Sequence, residues 1–496
     1  MKTRHWIIIS IAIVIAGVSI YFVTRPRPPI TFTIWHTESD PKANQRLALV
    51  KAQFEQQLQA RGANRRPVIV TVQYVPWGQL AMRLTAVLGS TQQPDLTHLE
   101  PYMTAALVRR EMLVPMNEVI VRLQEKHQIL PSVLKLQKFG ADYFGLAYAV
   151  GSTFLSYRRD WVREVGLDFD HKPPQTWDAL VALLPELREI ALKHNARVVM
   201  LPGGDPFFLD QFFGEILASY EGSLFRGQAE DFVPAFVGDP NPEHDSVFQA
   251  LNVLHRLSGP PGDKSYLARN WDTIAYLEQF TQFARGAALM VPVTYGRATQ
   301  VLDREFHPMD GSRASQDVFG VIPQPGPTPG SGRATIDCEN WSILRRQKAS
   351  ANEQLERQEM ARQFLELYYD TDNYLQYAAE VPVHLTPIFE DLSRRPDGAY
   401  WQQPPVRDWL KKWSSWADRS QAVLSAENRV NPILMSRWED NLNPYLLECQ
   451  RARLITDMVT VALKPESTAA DIRHAQEASQ DKAVQVVSSF KQNAGR

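Results

Sequence analysis

Hydrophobic and polar positions follow two periods through the first hundred residues of this chain. Ile30, Phe32 and Ile34 alternate with Thr31, Thr33 and Trp35, the two-residue period of a strand. Leu47, Val50, Phe54 and Leu58 recur at three- and four-residue steps, which predicts an amphipathic helix over 42–61. Val68, Val70, Val72 and Tyr74 return to alternation. Leu80, Leu84, Val87 and Leu88 then resume the helical period until Gly89-Ser90 stops it. A third strand follows in Pro94-Asp95-Leu96-Thr97-His98-Leu99. Strands alternating with helices of this length predict a parallel sheet built by right-handed crossovers. Open sheets of that kind bind ligands beyond the carboxyl ends of their strands. Here those ends carry Trp35-His36-Thr37-Glu38 and Leu99-Glu100-Pro101-Tyr102.

The same reading extends down the chain. Ala105 to Leu113 predicts a short helix, and Phe144 to Tyr157 one long extended run with Gly145, Gly151 and Ser152 in its middle. Thr176 is placed to cap a helix starting at Trp177, whose apolar stripe is Leu180, Leu183, Leu184, Leu187 and Ile190. A glycine turn and an apolar helix occupy 203–225, with further helices at 245–257 and 270–285, then an apolar strand after Gly286. The loop 323–332, rich in Pro and Gly, is a structural break. Ile336 to Leu344 predicts a strand and 353–369 a helix. Residues 394–430 read as a Trp-rich insertion, and two helices near 444–463 and 468–489 close the chain.

Length makes a single core too large, so two or three domains are expected of 496 residues. Net charge is −2, and no long basic stretch offers a surface to nucleic acid. The N-terminus changes the picture more. Trp6 to Val23 is 18 residues without a charge, preceded by Lys2 and Arg4. That length spans a bilayer core as a helix. The rival is a cleavable signal peptide, with Val14-Ile15-Ala16 as its small-residue site. The apolar run continuing to Val23 favours an uncleaved anchor with the bulk of the chain exported. Arg25-Pro-Arg-Pro-Pro29 is then a stiff spacer. The two cysteines, Cys338 and Cys449, have no Cys or His at ligand spacing, so no metal motif forms. They are read as isolated thiols, with a long-range disulfide as the alternative.

Catalytic and cofactor signatures are missing. There is no Gly-x-Ser-x-Gly, His-Glu-x-x-His, Walker A loop or Gly-x-Gly-x-x-Gly after a strand. No cofactor or metal is expected. Asp370-Thr-Asp372-Asn373 lacks the rest of a calcium loop and reads as helix capping. A glycosidase pair among Glu38, Glu100, Asp205 and Glu339 remains the enzymatic alternative.

Eight short segments occur in an order that carries a resemblance. They are Ile34-Trp35-His36, Gln93-Pro-Asp-Leu96, Leu113-Val-Pro-Met-Asn117, and Ala149-Val-Gly-Ser-Thr153 leading to Tyr157-Arg-Arg-Asp160. Pro174-Gln-Thr-Trp-Asp178, Phe283-Ala-Arg-Gly-Ala-Ala-Leu-Met290, Phe319-Gly-Val-Ile-Pro323 and Tyr377-Ala-Ala-Glu-Val-Pro382 complete the set. Together they make the chain resemble the extracellular solute-binding proteins that feed bacterial ABC importers, in the carbohydrate-type, maltose-like group. The resemblance implies an α/β fold of two lobes, type II-like, closing on ligand as a clamp. It implies lobe 1 at 30–149, lobe 2 at 150–285, a return to lobe 1 over 286–332, and lobe 2 with C-terminal helices from 333 to 496. Crossings would lie at Tyr148–Ser152, near Gly286–Val293, and between Pro329 and Ile336.

The resemblance also implies a site. The loop after the first strand offers Trp35, His36, Glu38 and Asp40, and the loop after the third offers Glu100 and Tyr102. Gly151 and Ser152 would form the cleft floor. Tyr295 and Arg297 stand after Met290, Glu339, Asn340 and Trp341 occupy a loop-to-strand position, and Asp205 sits in the Gly-Gly-Asp-Pro-Phe turn. Glutamates would accept hydrogen bonds from sugar hydroxyls, and rings would stack on sugar faces. A sugar or oligosaccharide leads among ligands, with a glycerol-phosphate type as the alternative. Implied partners are permease subunits of the importer, the chain itself being monomeric. A membrane-tethered sensor or scaffold of the same fold is the competing role.

Overall fold

The computed structural model describes residues 29–61, 66–227, 232–307, 314–337, 339–394, 396–425 and 443–494. The predicted span at Trp6–Val23, Cys338 and the end of the Trp-rich stretch at 426–430 lie outside them. Among the described residues no helix is long and apolar enough to cross a membrane.

Two sheets organise the molecule. In the first, the order is β2 (Val68–Tyr74), β1 (Ile30–His36), β3 (Leu96–Leu99), then Asn340–Ile343 and Leu146–Ala147. The alternation seen in the sequence becomes register: Ile30 pairs with Val68 and His36 with Tyr74, in parallel. β3 lies parallel on the other side of β1, with Ile34 opposite Leu96. Leu47, Val50 and Phe54 of the helix Pro41–Ala60 are buried. Phe54 meets Phe32 below it and Phe364 of the helix Ala351–Tyr368 beside it.

The second sheet has the order Phe319–Ile322, Phe154–Arg158, Ala288–Thr294, Arg197–Val199. Every residue of Phe154–Arg158, Ala288–Thr294 and Phe319–Ile322 is buried, the pattern of strands covered on both faces. The helices Trp177–Lys193 and Pro206–Ser219 form as predicted, Thr176 Oγ1 accepting from the Ala179 amide at 3.1 Å to cap the former. The Trp-rich stretch becomes the helix Pro404–Ser425, bent at Trp413. Trp409 donates to Thr299 Oγ1 at 2.9 Å and Trp416 packs edge-on to Phe154, so these rings belong to the second core.

Three expectations are corrected. The segment 286–332 does not return to the first sheet: Met290 and Gly320 both pair with Tyr157 of the second. Conversely, Asn340–Ile343 belongs to the first sheet, with Ile343 opposite Leu96. A continuous apolar strand matches either sheet, so periodicity alone does not choose between them. One expected crossing, Gly286–Val293, therefore runs within the second sheet instead. Gly151–Ser152 pairs antiparallel with Ile336–Asp337, and Val150 bridges Thr386. The long extended run over 144–157 is broken into short pieces at this point. Three chain segments thus lie side by side between the two sheets.

The carboxyl ends of β1 and β3 face the second lobe across a cleft. Helix Pro206–Ser219, the loop after Thr294 and the segment Ala275–Leu277 make the opposite wall.

Candidate functional site

The cleft encloses about 290 Å³ and is lined from both lobes. On the first wall are Thr37, Glu38, Ser39, Tyr74, Trp77, Glu100, Tyr148 and Glu339. On the second are Asp205, Phe207, Phe208, Tyr276, Leu277, Tyr295, Arg297 and His384.

An ion pair joins the walls. Arg297 Nη2 reaches Glu38 Oε1 at 2.8 Å and Oε2 at 2.7 Å, while Nη1 donates to Ser39 Oγ at 3.0 Å. The Glu38 side chain is fully buried and that of Arg297 is 12% exposed. The carboxylate holds the guanidinium above its usual pKa against the cost of burial. Among the described residues lining the cleft, Arg297 is the one Arg or Lys.

The first wall continues as a hydrogen-bonded network. Thr37 Oγ1 donates to Glu339 Oε2 at 2.8 Å and lies 2.8 Å from His98 Nδ1. Tyr148 also donates to Glu339 Oε2, at 2.8 Å, and its ring stacks on His98 with centroids 4.1 Å apart. Burial and the neighbouring His36 push His98 well below the ordinary histidine pKa, so the ring is neutral.

The second wall is aromatic. Phe208 stacks on Tyr276 at 3.6 Å, and Phe207 meets Trp77 of the first lobe edge-on at 5.6 Å. Tyr295 accepts from Gln211 Nε2 at 2.6 Å and abuts His384. Asp205, at the N-cap position of Pro206–Ser219, is pushed up to about 6 by burial. Burial and Arg297 hold His384 neutral.

Local backbone explains how Tyr295 and Arg297 reach the cleft. The pairing of Ala288–Thr294 with Phe154–Arg158 slips between Val291 and Thr294, and Val293 sits at φ 51°. A bulge of this kind re-aims the residues that follow. A β-branched residue in the left-handed region is costly, and such strain gathers at functional sites. Val383 repeats it at φ 66°, its amide held by Tyr400 OH at 2.9 Å. Gly296 has no room for a Cβ, which would lie 2.7 Å from Pro382 O.

Of the residues expected from sequence, the structure brings Glu38, Glu100, Asp205, Tyr295, Arg297 and Glu339 together. It places eight elsewhere. Trp35 and Trp341 are core side chains. His36 packs between Tyr74 and His98, burial pushing it down to about 4. Asp40 caps the helix Pro41–Ala60, accepting from the amides of Lys42 and Ala43. Tyr102 is buried in the helix Pro101–Arg109 and does not line the cleft. Gly151 and Ser152 belong to the segments between the sheets, where Ser152 Oγ donates to Ser420 Oγ at 3.2 Å. Asn340 Oδ1 accepts from Ser342 within the first sheet. Sequence reasoning missed Thr37, Tyr148, Trp77, the Phe207–Phe208 pair, Tyr276 and His384. Their signal was faint: two phenylalanines at a helix start.

No described group of His, Cys, Asp and Glu is arranged to hold a metal. Cys449 is a buried free thiol, pushed up to about 12 by burial.

Residues 53–374 match the family model described as bacterial extracellular solute-binding protein. No curated protein sequence matches the chain. Solved structures do. The ABC transporter solute-binding protein of Agrobacterium radiobacter K84, in complex with ribitol, superposes with a TM-score of 0.63 at 15% identity, over 93% of this chain and 100% of that one. Maltose-bound MalE3 of T. maritima gives 0.62 at 16%, over 91% and 99%. The GacH receptor of Streptomyces glaucescens, solved unliganded and with acarbose, gives 0.62 at 16%, over 93% and 99%.

Proposed function

The chain belongs to the bacterial extracellular solute-binding protein family, and from that premise we propose that it captures a sugar or oligosaccharide between its lobes and delivers it to a membrane permease. One observation carries the choice of ligand. The cleft brings aromatic rings (Trp77, Phe208, Tyr276 and Tyr295) and hydrogen-bond acceptors (Glu100, Asp205 and Glu339) into one lining. A pyranose has that polarity, with C–H faces for rings and hydroxyls at its rim for carboxylates. The similar structures holding ribitol, maltose and acarbose support the same class.

A phosphorylated polyol is disfavoured. Arg297 is engaged at both carboxylate oxygens of Glu38, and a phosphate would have to displace that partner. No reaction is assigned to the cleft: the family is one of binding proteins.

The lobes in this reading run from 30 to 149 with the strand Asn340–Ile343 and the helix Ala351–Tyr368, and from 150 to about 335 with the C-terminal helices. Trp6–Val23 would tether the protein outside the cytoplasmic membrane. The mass of the mature chain tests that, since cleavage after Ala16 would remove the start of the span.

The direct test is thermal denaturation with ribitol, maltose, maltotriose, chitobiose and glycerol 3-phosphate. A true ligand at a hundredfold excess over Kd stabilises by about 2.7 kcal/mol. A shift with a neutral sugar supports the proposal, a shift with glycerol 3-phosphate alone overturns the ligand class, and no shift with any overturns the sugar reading.

A further inference from the structure

One buried carboxylate lies outside the cleft and is bonded to two of the segments that pass between the sheets. Glu215 is in the middle of helix Pro206–Ser219 and 1% exposed. Its Oε1 accepts from Thr153 Oγ1 at 2.5 Å, Thr335 Oγ1 at 2.7 Å and the Thr335 amide at 3.2 Å. Its Oε2 accepts from Gln324 Nε2 at 2.8 Å. Thr153 directly follows the hinge strand Gly151–Ser152, and Thr335 directly precedes its partner Ile336–Asp337. The Thr335 amide also donates to Thr153 Oγ1 at 2.9 Å, so the carboxylate sits at the knot of two crossing segments.

The same helix links the carboxylate to the cleft wall. Gln211 is one turn earlier on the same helix face. Its side chain favours the ionised form of the carboxylate, and its amide nitrogen donates to the Tyr295 hydroxyl at 2.6 Å. A continuous polar path therefore runs from the cleft wall through Gln211 and Glu215 to the hinge.

We propose that Glu215 is a positioning residue that couples the ligand cleft to the hinge, and that its protonation loosens both. The proposal rests on reading the cleft as the ligand site and the crossing segments as its hinge. The chemistry is one of donor count. An ionised carboxylate accepts every donor aimed at it. A protonated one brings a donor of its own into a ring of donors. Relief requires a hydroxyl of Thr153 or Thr335 to turn and accept, or Gln324 to turn its carbonyl oxygen toward the carboxyl, and any of these turns breaks the observed set. Burial without a cationic partner pushes Glu215 up to about 7, which places the change at neutral pH.

The groups acting on Glu215 are uncharged. Of the titratable residues around its helix, Asp210 bonds Thr456 and feels Arg453 and Asp457 of the segment packed beside it. His255 of the helix Ser246–Ser258 faces Ala462 O, and Asp205 stands at the helix start in the cleft.

The test is amide hydrogen exchange of the full chain, without ligand, from pH 5.5 to 8.5 and corrected for intrinsic rates. Because no sugar is present, its failure is separate from failure of the ligand reading. Protection of segments 150–155, 332–337 and 293–298 is expected to rise together through a midpoint near pH 7, with the helix Ala351–Tyr368 as a flat control. Glu215→Gln removes the midpoint, and Asp210→Asn leaves it in place. Gln324→Leu deletes one donor to the carboxylate and moves the midpoint up by about one pH unit. Gln211→Leu abolishes the transition at 293–298 and keeps it at 332–337. The proposal is overturned by a wild type with no midpoint, by a midpoint that survives Glu215→Gln, or by a Gln211→Leu variant in which 293–298 still follows. Should Glu215→Gln fail to fold, the two glutamine variants decide.

Discussion

The two walls of the cleft hold their carboxylates differently. On the first wall two of them are held by donors: Glu38 by Arg297, and Glu339 by Thr37 and Tyr148. On the second, Asp205 lies against aromatic rings, and burial sets its pKa. The first wall is thus a fixed array of acceptors. The second is a hydrophobic platform with one carboxyl that changes charge near pH 6. A wall of fixed acceptors orients hydroxyls, and a wall of rings supplies contact area as the cleft closes. The division suits a clamp whose lobes make unlike contributions.

The largest expected effect breaks the ion pair that spans the walls. Glu38→Ala leaves a guanidinium buried without its partner and should cost about 3 kcal/mol. Denaturant titration reads it, and the Glu38→Ala, Arg297→Ala double variant should recover part of the loss. Equal costs in the single and double variants would show that the walls are not coupled through this pair.

Asp205→Asn probes the second wall. The folded-state pKa of about 6 lies above the ordinary 3.8, so burial favours the protonated form. The stability this gives is full below about pH 4 and is lost as pH rises through 6. The neutral variant should therefore melt higher than wild type at pH 7 to 8, by no more than about 2 kcal/mol after allowance for partial exposure, and equal it at pH 4. A constant difference across that range would mean that charge is not the cause.

Phe208→Ala should weaken sugar binding by roughly tenfold through loss of a stacking face, with a small change in melting temperature. Tyr148→Phe should cost least, about 1 kcal/mol, by removing one donor to Glu339. If Tyr148→Phe hurts affinity more than Phe208→Ala, the assignment of area to one wall and orientation to the other is inverted.

Much of the first lobe was legible in the sequence, because its first two strands keep exposed positions and their alternation survives. β2 keeps a mixed burial pattern and was bounded correctly. The strands of the second sheet are buried on both faces, so Ala288–Thr294 carried no period to say which sheet it joins. The site divides along the same line. Glu38, Glu100 and Glu339 stand at strand ends of the first sheet, where topology predicts ligand contacts. Trp35 and Asp40 stand at the same edge, but one points into the core and the other caps a helix, a choice made by side-chain direction. Tyr148 and His384 come from the crossing segments and meet the cleft only through pairing of distant chain, which no local pattern encodes.

The strand Asn340–Ile343 sits between β3 and Leu146–Ala147 in the first sheet. During synthesis, therefore, the first lobe cannot be completed when its own residues leave the ribosome. It waits until the whole second sheet has been made and the chain has returned. A lobe that must wait keeps its sheet edge open for much of translation, and long-range pairing of this kind is slow. For a chain of an exported family, that delay helps: a polypeptide that has not yet closed its core can still be threaded through a translocation channel.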